Sequence, residues 1–133
     1  MKEIDQLTYK INGCAMRVHR VLGCGFQEKI YQRCLAIEFQ KAGITYEREK
    51  EIPIEYESEN VGTRRVDFLV DNQVVVELKA MLKIEPVHYA QARNYVQIFG
   101  FQHGLLINFG GMKLEIKRVY PHTQKNQKQD EKE

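Results

Sequence analysis

The run Val74-Val75-Val76-Glu77-Leu78-Lys79-Ala80 constrains this chain more than any other stretch. It is short and valine-rich, so it reads as a β-strand. Its apolar residues fall on both faces, the pattern of a strand covered on both sides. Such a strand lies inside a sheet with helices packed on it. Yet Glu77 and Lys79 sit within it, two apart and therefore on one face. Burying a carboxylate and an ammonium is costly unless something offsets the lost hydration. Ten residues before Glu77, the run Val66-Asp67-Phe68-Leu69-Val70 places a second carboxylate inside an apolar strand. A divalent cation and a phosphate are partners that would compensate all three groups.

The rest of the chain supplies the layers. Ile4, Leu7, Ile11, Cys14, Val18 and Leu22 recur at three- and four-residue steps, an amphipathic helix ending near Gly23. A second helix is expected from near Gln27, carrying Ile30, Tyr31, Cys34 and Leu35, with Gly43 as its stop. Ile52, Ile54 and Tyr56 alternate around Pro53, which predicts an edge or bulged strand. The spacing then predicts a turn over 58–62, strands over 64–70 and 74–80, and a turn at 71–73 between them. Pro86 suits the first turn of a helix that runs to about Phe99 and stops at Gly100. Strands over 104–109 and 112–119 follow, separated by Gly110-Gly111. The expected class is α/β, with an α-β-β-β-α-β core, a mixed central sheet flanked by helices, and an extra N-terminal helix. Residues 1–120 form one expected domain. Residues 121–133 are polar and expected to be disordered.

The register of the hairpin 64–80 decides whether its carboxylates meet. A three-residue loop, Asp71-Asn72-Gln73, sets Asp67 opposite Glu77, with Cα atoms roughly 4.5–5.5 Å apart. A two-residue loop, Asp71-Asn72, turns Asp67 to the other side. Two like charges face to face repel, and Mg²⁺, which takes oxygen ligands, converts that repulsion into coordination. The Leu78 carbonyl is a further candidate ligand. Lys79 is placed to orient or help deprotonate an attacking water, or to neutralise a phosphate. The competing account is a solvated strand face on which Asp67 pairs with Arg64 or Arg65, and Glu77 with Lys79. The apolar flanks favour the site.

Other candidates carry weaker signals. Glu28 falls in the first turn of the second helix, where the helix dipole alone accounts for a carboxylate. Gln91 and Tyr95 are four apart on the third helix and share a face, with His88 near the same stripe. That spacing also fits an amphipathic boundary with Tyr95 half-buried. His19 lies beside Val18 and is either structural or within reach of the site. Arg64, Arg65, Lys83 and Arg93 are each able to touch phosphates.

The net charge of +2 is too small for a sequence-blind nucleic-acid coat, although a local cleft needs no more. Cys14, Cys24 and Cys34 are evenly spaced and odd in number. They are read as buried thiols of a reducing compartment, not as a zinc set or disulfide framework. Charges interrupt the N-terminus, so no signal peptide is expected. The uncharged stretch 95–112 holds four glycines and several polar residues, so it is not a membrane span. A cytoplasmic protein is expected.

Three groups of residues together resemble one family. Gly25-Phe26-Gln27-Glu28-Lys29-Ile30-Tyr31 fits a G-x-x-E-x-x-Y signature, and Asp67 with Glu77-Leu78-Lys79 fits a nuclease metal motif. Gln91-Ala92-Arg93-Asn94-Tyr95 fits Q-x-x-x-Y, and the closing run 104–110 is also similar. Over about residues 4–120 the chain resembles the GxxExxY proteins, a group within the PD-(D/E)XK nuclease-like superfamily. Val66 stands where the superfamily name calls for proline. The resemblance implies a restriction-endonuclease-like fold and an acidic site of Glu28, Asp67, Glu77 and Lys79, flanked by Gln91 and Tyr95. It thereby raises Glu28 above the dipole account, and adds Tyr31 through the signature.

Three functions compete. The first is a Mg²⁺- or Mn²⁺-dependent nuclease in which Asp67, Glu77, Glu28 and the Leu78 carbonyl hold the cation. Lys79 and Gln91 would then attend the attacking water, and Tyr95, Arg64, Arg65, Lys83 and Arg93 would contact nucleic acid, most simply DNA. The second is a catalytically silent nuclease-fold module binding nucleic acid or a protein. The third is a hydrolase of another phosphate ester, for which the sequence lacks a Walker-type glycine loop. A homodimer or larger complex is compatible with the first helix, although its stripe is better explained by packing on the sheet.

Overall fold

The structure, a computed structural model, describes residues 2–121. The expected disordered tail lies, beyond Pro121, outside the described residues. Helices α1 (Glu3–Leu22) and α2 (Glu28–Lys41) precede a meander of β1 (Tyr46–Tyr56), β2 (Glu59–Val70) and β3 (Val74–Lys79). Helix α3 (Pro86–Phe99) then crosses to β4 (His103–Asn108), which turns back into β5 (Glu115–Val119). The strands lie in the order β1-β2-β3-β4-β5, with β3 and β4 parallel and every other neighbour antiparallel. This is the mixed sheet expected from the element order, and β1 lies at its edge as Pro53 requires.

The periodicities explain the layers. The α1 stripe of Ile11, Cys14, Ala15 and Val18 is buried with Leu35 and Phe39 of α2 against Phe68, Val76, Leu78 and Ile107 of the sheet. On the opposite face Ala92 and Val96 of α3 pack on Leu69, Val75, Leu106 and Val119. The α1 stripe is therefore consumed within the chain, as packing on the sheet predicts. Strand β3, fed by both cores, is buried along its length except at Lys79.

Three expectations need correction. Strand β1 begins at Tyr46 and β2 at Glu59, so the first hairpin is longer at both ends than the apolar alternation indicated. Its turn is the pair Glu57-Ser58, both at positive φ, and not the stretch 58–62. The missed segments are mostly charged and exposed, so no burial pattern marks them. The last strand starts at Glu115 because Gly110 to Lys113 form a wider turn. Of the three thiols only Cys14 is buried. Cys34 is partly covered and Cys24 is exposed, because it lies on the α1–α2 loop.

Asn108 fixes the corner that follows β3. Its side chain is fully buried. Its Oδ1 accepts from the Met81 N–H at 3.0 Å and the Gly110 N–H at 3.1 Å. Its Nδ2 donates to the Met81 carbonyl at 2.9 Å and to Glu115 Oε1 at 2.8 Å. Asn108→Ala would strand these groups away from water. It is expected to cost about 2–4 kcal/mol, and urea unfolding checks this. A cost near zero would show that water replaces the side chain.

Candidate active site

The hairpin adopts the register that brings the two carboxylates together. Asp71 and Asn72 take φ of 50° and 52°, and the Gln73 N–H donates to the Val70 carbonyl at 2.9 Å. Gln73 is then the third loop residue, and Val70 pairs with Val74, Leu69 with Val75 and Phe68 with Val76. One step further this register sets Asp67 against Glu77, and there the ladder stops. Side chains take over from the backbone. Glu77 Oε1 accepts the Asp67 N–H at 2.8 Å, and Asp67 Oδ2 accepts the Leu78 N–H at 2.8 Å. The strands are thus held by their own carboxylates at a fork. A strand residue's N–H and C=O leave on the same side, so the Leu78 carbonyl also faces the fork.

Strand β2 rotates at the same level. Phe68 and Val70 belong to the core under α1 and α2, whereas Val66, only two residues from Phe68, belongs to the core under α3. On β1 the pairing skips from Arg48↔Phe68 to Lys50↔Val66, and the residue between, Glu49, has φ of 54°. Glu49 forms an ion pair with Lys29 of α2 and lies 3.9 Å from Arg65.

Helix α2 brings Glu28 to the fork. Gly25 has φ of 106°, which favours glycine in this loop. The Tyr31 hydroxyl donates to the Gly23 carbonyl at 2.6 Å and accepts the Phe26 N–H at 3.3 Å. The Tyr31 ring stacks on Phe109 at 4.7 Å. Glycine, glutamate and tyrosine of the signature are thereby joined. The glycine allows the turn, the tyrosine pins it, and Glu28 opens the helix that results.

These carboxyl groups share one electrostatic field. Burial pushes Glu77 up to about 8, Asp67 adds to the rise, and the Asp67 N–H and Lys79 oppose it. Burial also raises Asp67, against the Leu78 N–H, the Gln32 amide, Lys79 and Lys29. Glu28 is raised by desolvation first and by Asp67, while Lys79 and His88 pull it down. Tyr95 is raised by burial and then by Glu77. Lys79 therefore lies close to all three acids, as its place on β3 predicts. Glu28 belongs to this field without closing up as a third ligand. Among the described residues, no three His, Cys, Asp or Glu side chains converge as a preformed metal-binding group.

Helix α3 supplies a groove beside the fork. Gln91, Asn94, Tyr95, Gln97 and Ile98 line a cavity of about 590 Å³ together with Ile54 and Arg64 of the first hairpin. Gln91, Tyr95 and Arg64 are thus brought together. Other cations are engaged elsewhere. Arg65 pairs with Glu51 at 2.9 Å, and Arg93 lies over the Tyr89 ring at 5.7 Å. Lys83 is exposed on the loop before α3. His19 is given to the β4–β5 turn, where its Nε2 lies 3.0 Å from the Gly111 carbonyl oxygen. The Arg64 or Arg65 pairing with Asp67 considered from sequence is replaced by Gln32, whose Nε2 donates to Asp67 Oδ1 at 2.7 Å. Gln32 is the member of the site that sequence reasoning missed. A signal existed, since Gln32 is polar on the stripe shared by Leu35 and Phe39.

Known proteins resemble this chain in family and in fold. The sequence profile of the PD-(D/E)XK nuclease superfamily matches residues 5–119. The crystal structure of SSO0001 superposes with a TM-score of 0.57 at 18% identity, covering 71% of this chain and 50% of that one. This chain therefore spans half the length of that neighbour. An alkaline exonuclease (LHK-Exo) from Laribacter hongkongensis superposes with a TM-score of 0.54 at 12% identity, covering 96% of this chain and 75% of that one. At such identities both likenesses are of fold. No curated protein matches. No described helix is long and apolar enough to cross a membrane.

Proposed function

The chain belongs to the PD-(D/E)XK nuclease superfamily, and on that premise we propose that it hydrolyses nucleic-acid phosphodiester bonds with the help of Mg²⁺ or Mn²⁺. Gly25, Glu28 and Tyr31, with Gln91 and Tyr95, support placing it, within the superfamily, among the GxxExxY proteins. The observation that carries the reading is the fork, where the buried Glu77 faces the partly buried Asp67, and burial first and then the Asp67 charge push Glu77 up to about 8. Such an arrangement is unfavourable unless the acids hold protons or share a cation.

The donor set fits the ion. Asp67, Glu77 and the Leu78 carbonyl offer oxygen only, and Mg²⁺ is commonly bound by one or two carboxylates with water completing its shell. When bound, the cation supplies charge against a phosphate oxygen and makes a nearby water more acidic. The chain's own residues do the rest. Asp67 and Glu77 hold position through the bonds that replace the strand ladder. Lys79 balances negative charge at the phosphate and donates to the attacking water. Glu28, on α2, would accept a hydrogen bond from water held by the cation. Arg64 and Tyr95 guide a strand along the α3 groove, with Gln91 turned to a phosphate or water. By analogy with the superfamily, the product would carry a 5′-phosphate.

The test is incubation of the purified chain with single-stranded, duplex and branched DNA in Mg²⁺, in Mn²⁺ and in chelator. Cleavage with either metal and none in chelator is the expected result. That no acidic triad converges among the described residues favours a second reading, a silent nuclease-fold module that binds nucleic acid or protein. Binding that ignores both metal and the Glu77 side chain would establish that one instead.

A further inference from the structure

Gln32 is 97% buried, the counterpart of its 3% exposure, yet half of its amide is unused. Its Nε2 donates to Asp67 Oδ1 at 2.7 Å, while its Oε1 has no hydrogen-bond partner. A buried amide oxygen without a donor is costly, on the order of 1–3 kcal/mol. The alternative orientation is worse, since a flipped amide would set Oε1 against Asp67 Oδ1 and two acceptors repel. The carboxylate therefore fixes which way the amide points, and leaves an acceptor beside the fork.

Helix geometry explains the placement. Gln32 is one turn beyond Glu28, so the two share a face of α2. Tyr31, Leu35 and Phe39 are fully buried around it and hold that face against the sheet. A leucine of similar volume would fill the position without any polar penalty. The bond to Asp67 accounts for the nitrogen alone, because a donor is all that Asp67 requires.

We infer that Gln32 is a cation-facing residue of this site: its nitrogen positions Asp67, and its oxygen accepts from the hydration shell of the divalent cation that Asp67 and Glu77 hold. The inference rests on the metal reading above. Gln32 in that place favours the hydrated cation twice, its oxygen by accepting a hydrogen bond from a water and its nitrogen by keeping Asp67 aimed into the fork. Residues that hold a ligand from behind typically change metal affinity by 10–100-fold when removed.

The test is calorimetric titration of Mn²⁺ into wild type, Gln32→Leu and Gln32→Glu, with circular dichroism of each protein in chelator to establish folding. Gln32→Leu removes both roles, and its Mn²⁺ affinity is expected to fall by about tenfold or more. Gln32→Glu removes the donor but adds a carboxylate oxygen. Its Mn²⁺ affinity is expected to rise above wild type, while its melting temperature in chelator falls because Asp67 gains a like charge. Equal weakening in both variants would assign Gln32 to holding Asp67 alone and overturn the inference. Unchanged affinity in both, with wild type binding, would overturn it too. No Mn²⁺ binding by wild type would remove the metal reading itself, and the inference with it.

Discussion

Lys79→Ala is expected to abolish DNA cleavage, with a loss of about a thousandfold or more, while the protein still folds. Lys79 is half-buried at the end of β3, and its charge lowers Glu28, Asp67 and Glu77 together. A thousandfold loss corresponds to about 4 kcal/mol of barrier. That is within the range assigned to a single well-placed charge at a reacting oxyanion. The fold should tolerate the change, because the cores under α1–α2 and under α3 do not include Lys79. Asp67→Ala should be equally inactive but less stable, since the Leu78 N–H and the Gln32 amide both lose their acceptor. Single-turnover cleavage assays and thermal melts on both variants separate the two effects. Retained cleavage by purified Lys79→Ala would remove lysine from the mechanism.

The second large effect is on stability against pH. Glu77 has its carboxyl raised from 4.5 to about 8 in the folded chain, chiefly by burial and then by Asp67. Between those values the folded state holds a proton that the unfolded state has released. Stability from this group is therefore fully present below about pH 4.5, and is lost as pH rises through about 8. The raised Asp67 and Glu28 act in the same direction. The loss is on the order of 3–5 kcal/mol by the cost of one pKa unit. Glu77→Gln keeps an oxygen for the Asp67 N–H but never ionises. In chelator it should match wild type near pH 4.5 and exceed it increasingly toward pH 8. Mn²⁺ should close that gap by stabilising wild type alone. Urea midpoints across this pH range provide the measurement, and parallel curves for the two proteins would contradict the raised carboxyl.

Much of this site was legible in the residues because strands and helices impose short periods. Glu77 and Lys79 had to share a face, and Asp67 had to meet Glu77 if the loop held three residues. The loop did so through positive φ at Asp71 and Asn72, residue types that tolerate that conformation. Helix α3 was legible over its whole length, since Pro86 and Gly100 bound it at both ends. The first hairpin was legible only in part. Residues 46–51 are mostly charged, 59–63 are mostly polar or small, and both lie largely in solvent. Pairing stabilises them, and pairing partners leave no trace in a local pattern.

The sequence by itself determined the layered α/β class, the central buried strand and the carboxylates within it. Burial patterns are local, and a charge inside one stands out. Only the tertiary structure decided which distant groups answer those charges. It gave Asp67 to Gln32 and the Leu78 N–H, sent His19 to Gly111, and spent Arg65 on Glu51. It also showed that the strand ladder ends where the carboxylates begin. Hydrogen bonds and ion pairs of this kind depend on distances of a few ångströms between segments far apart in the chain. Such distances are fixed when helices pack on the sheet, and not before.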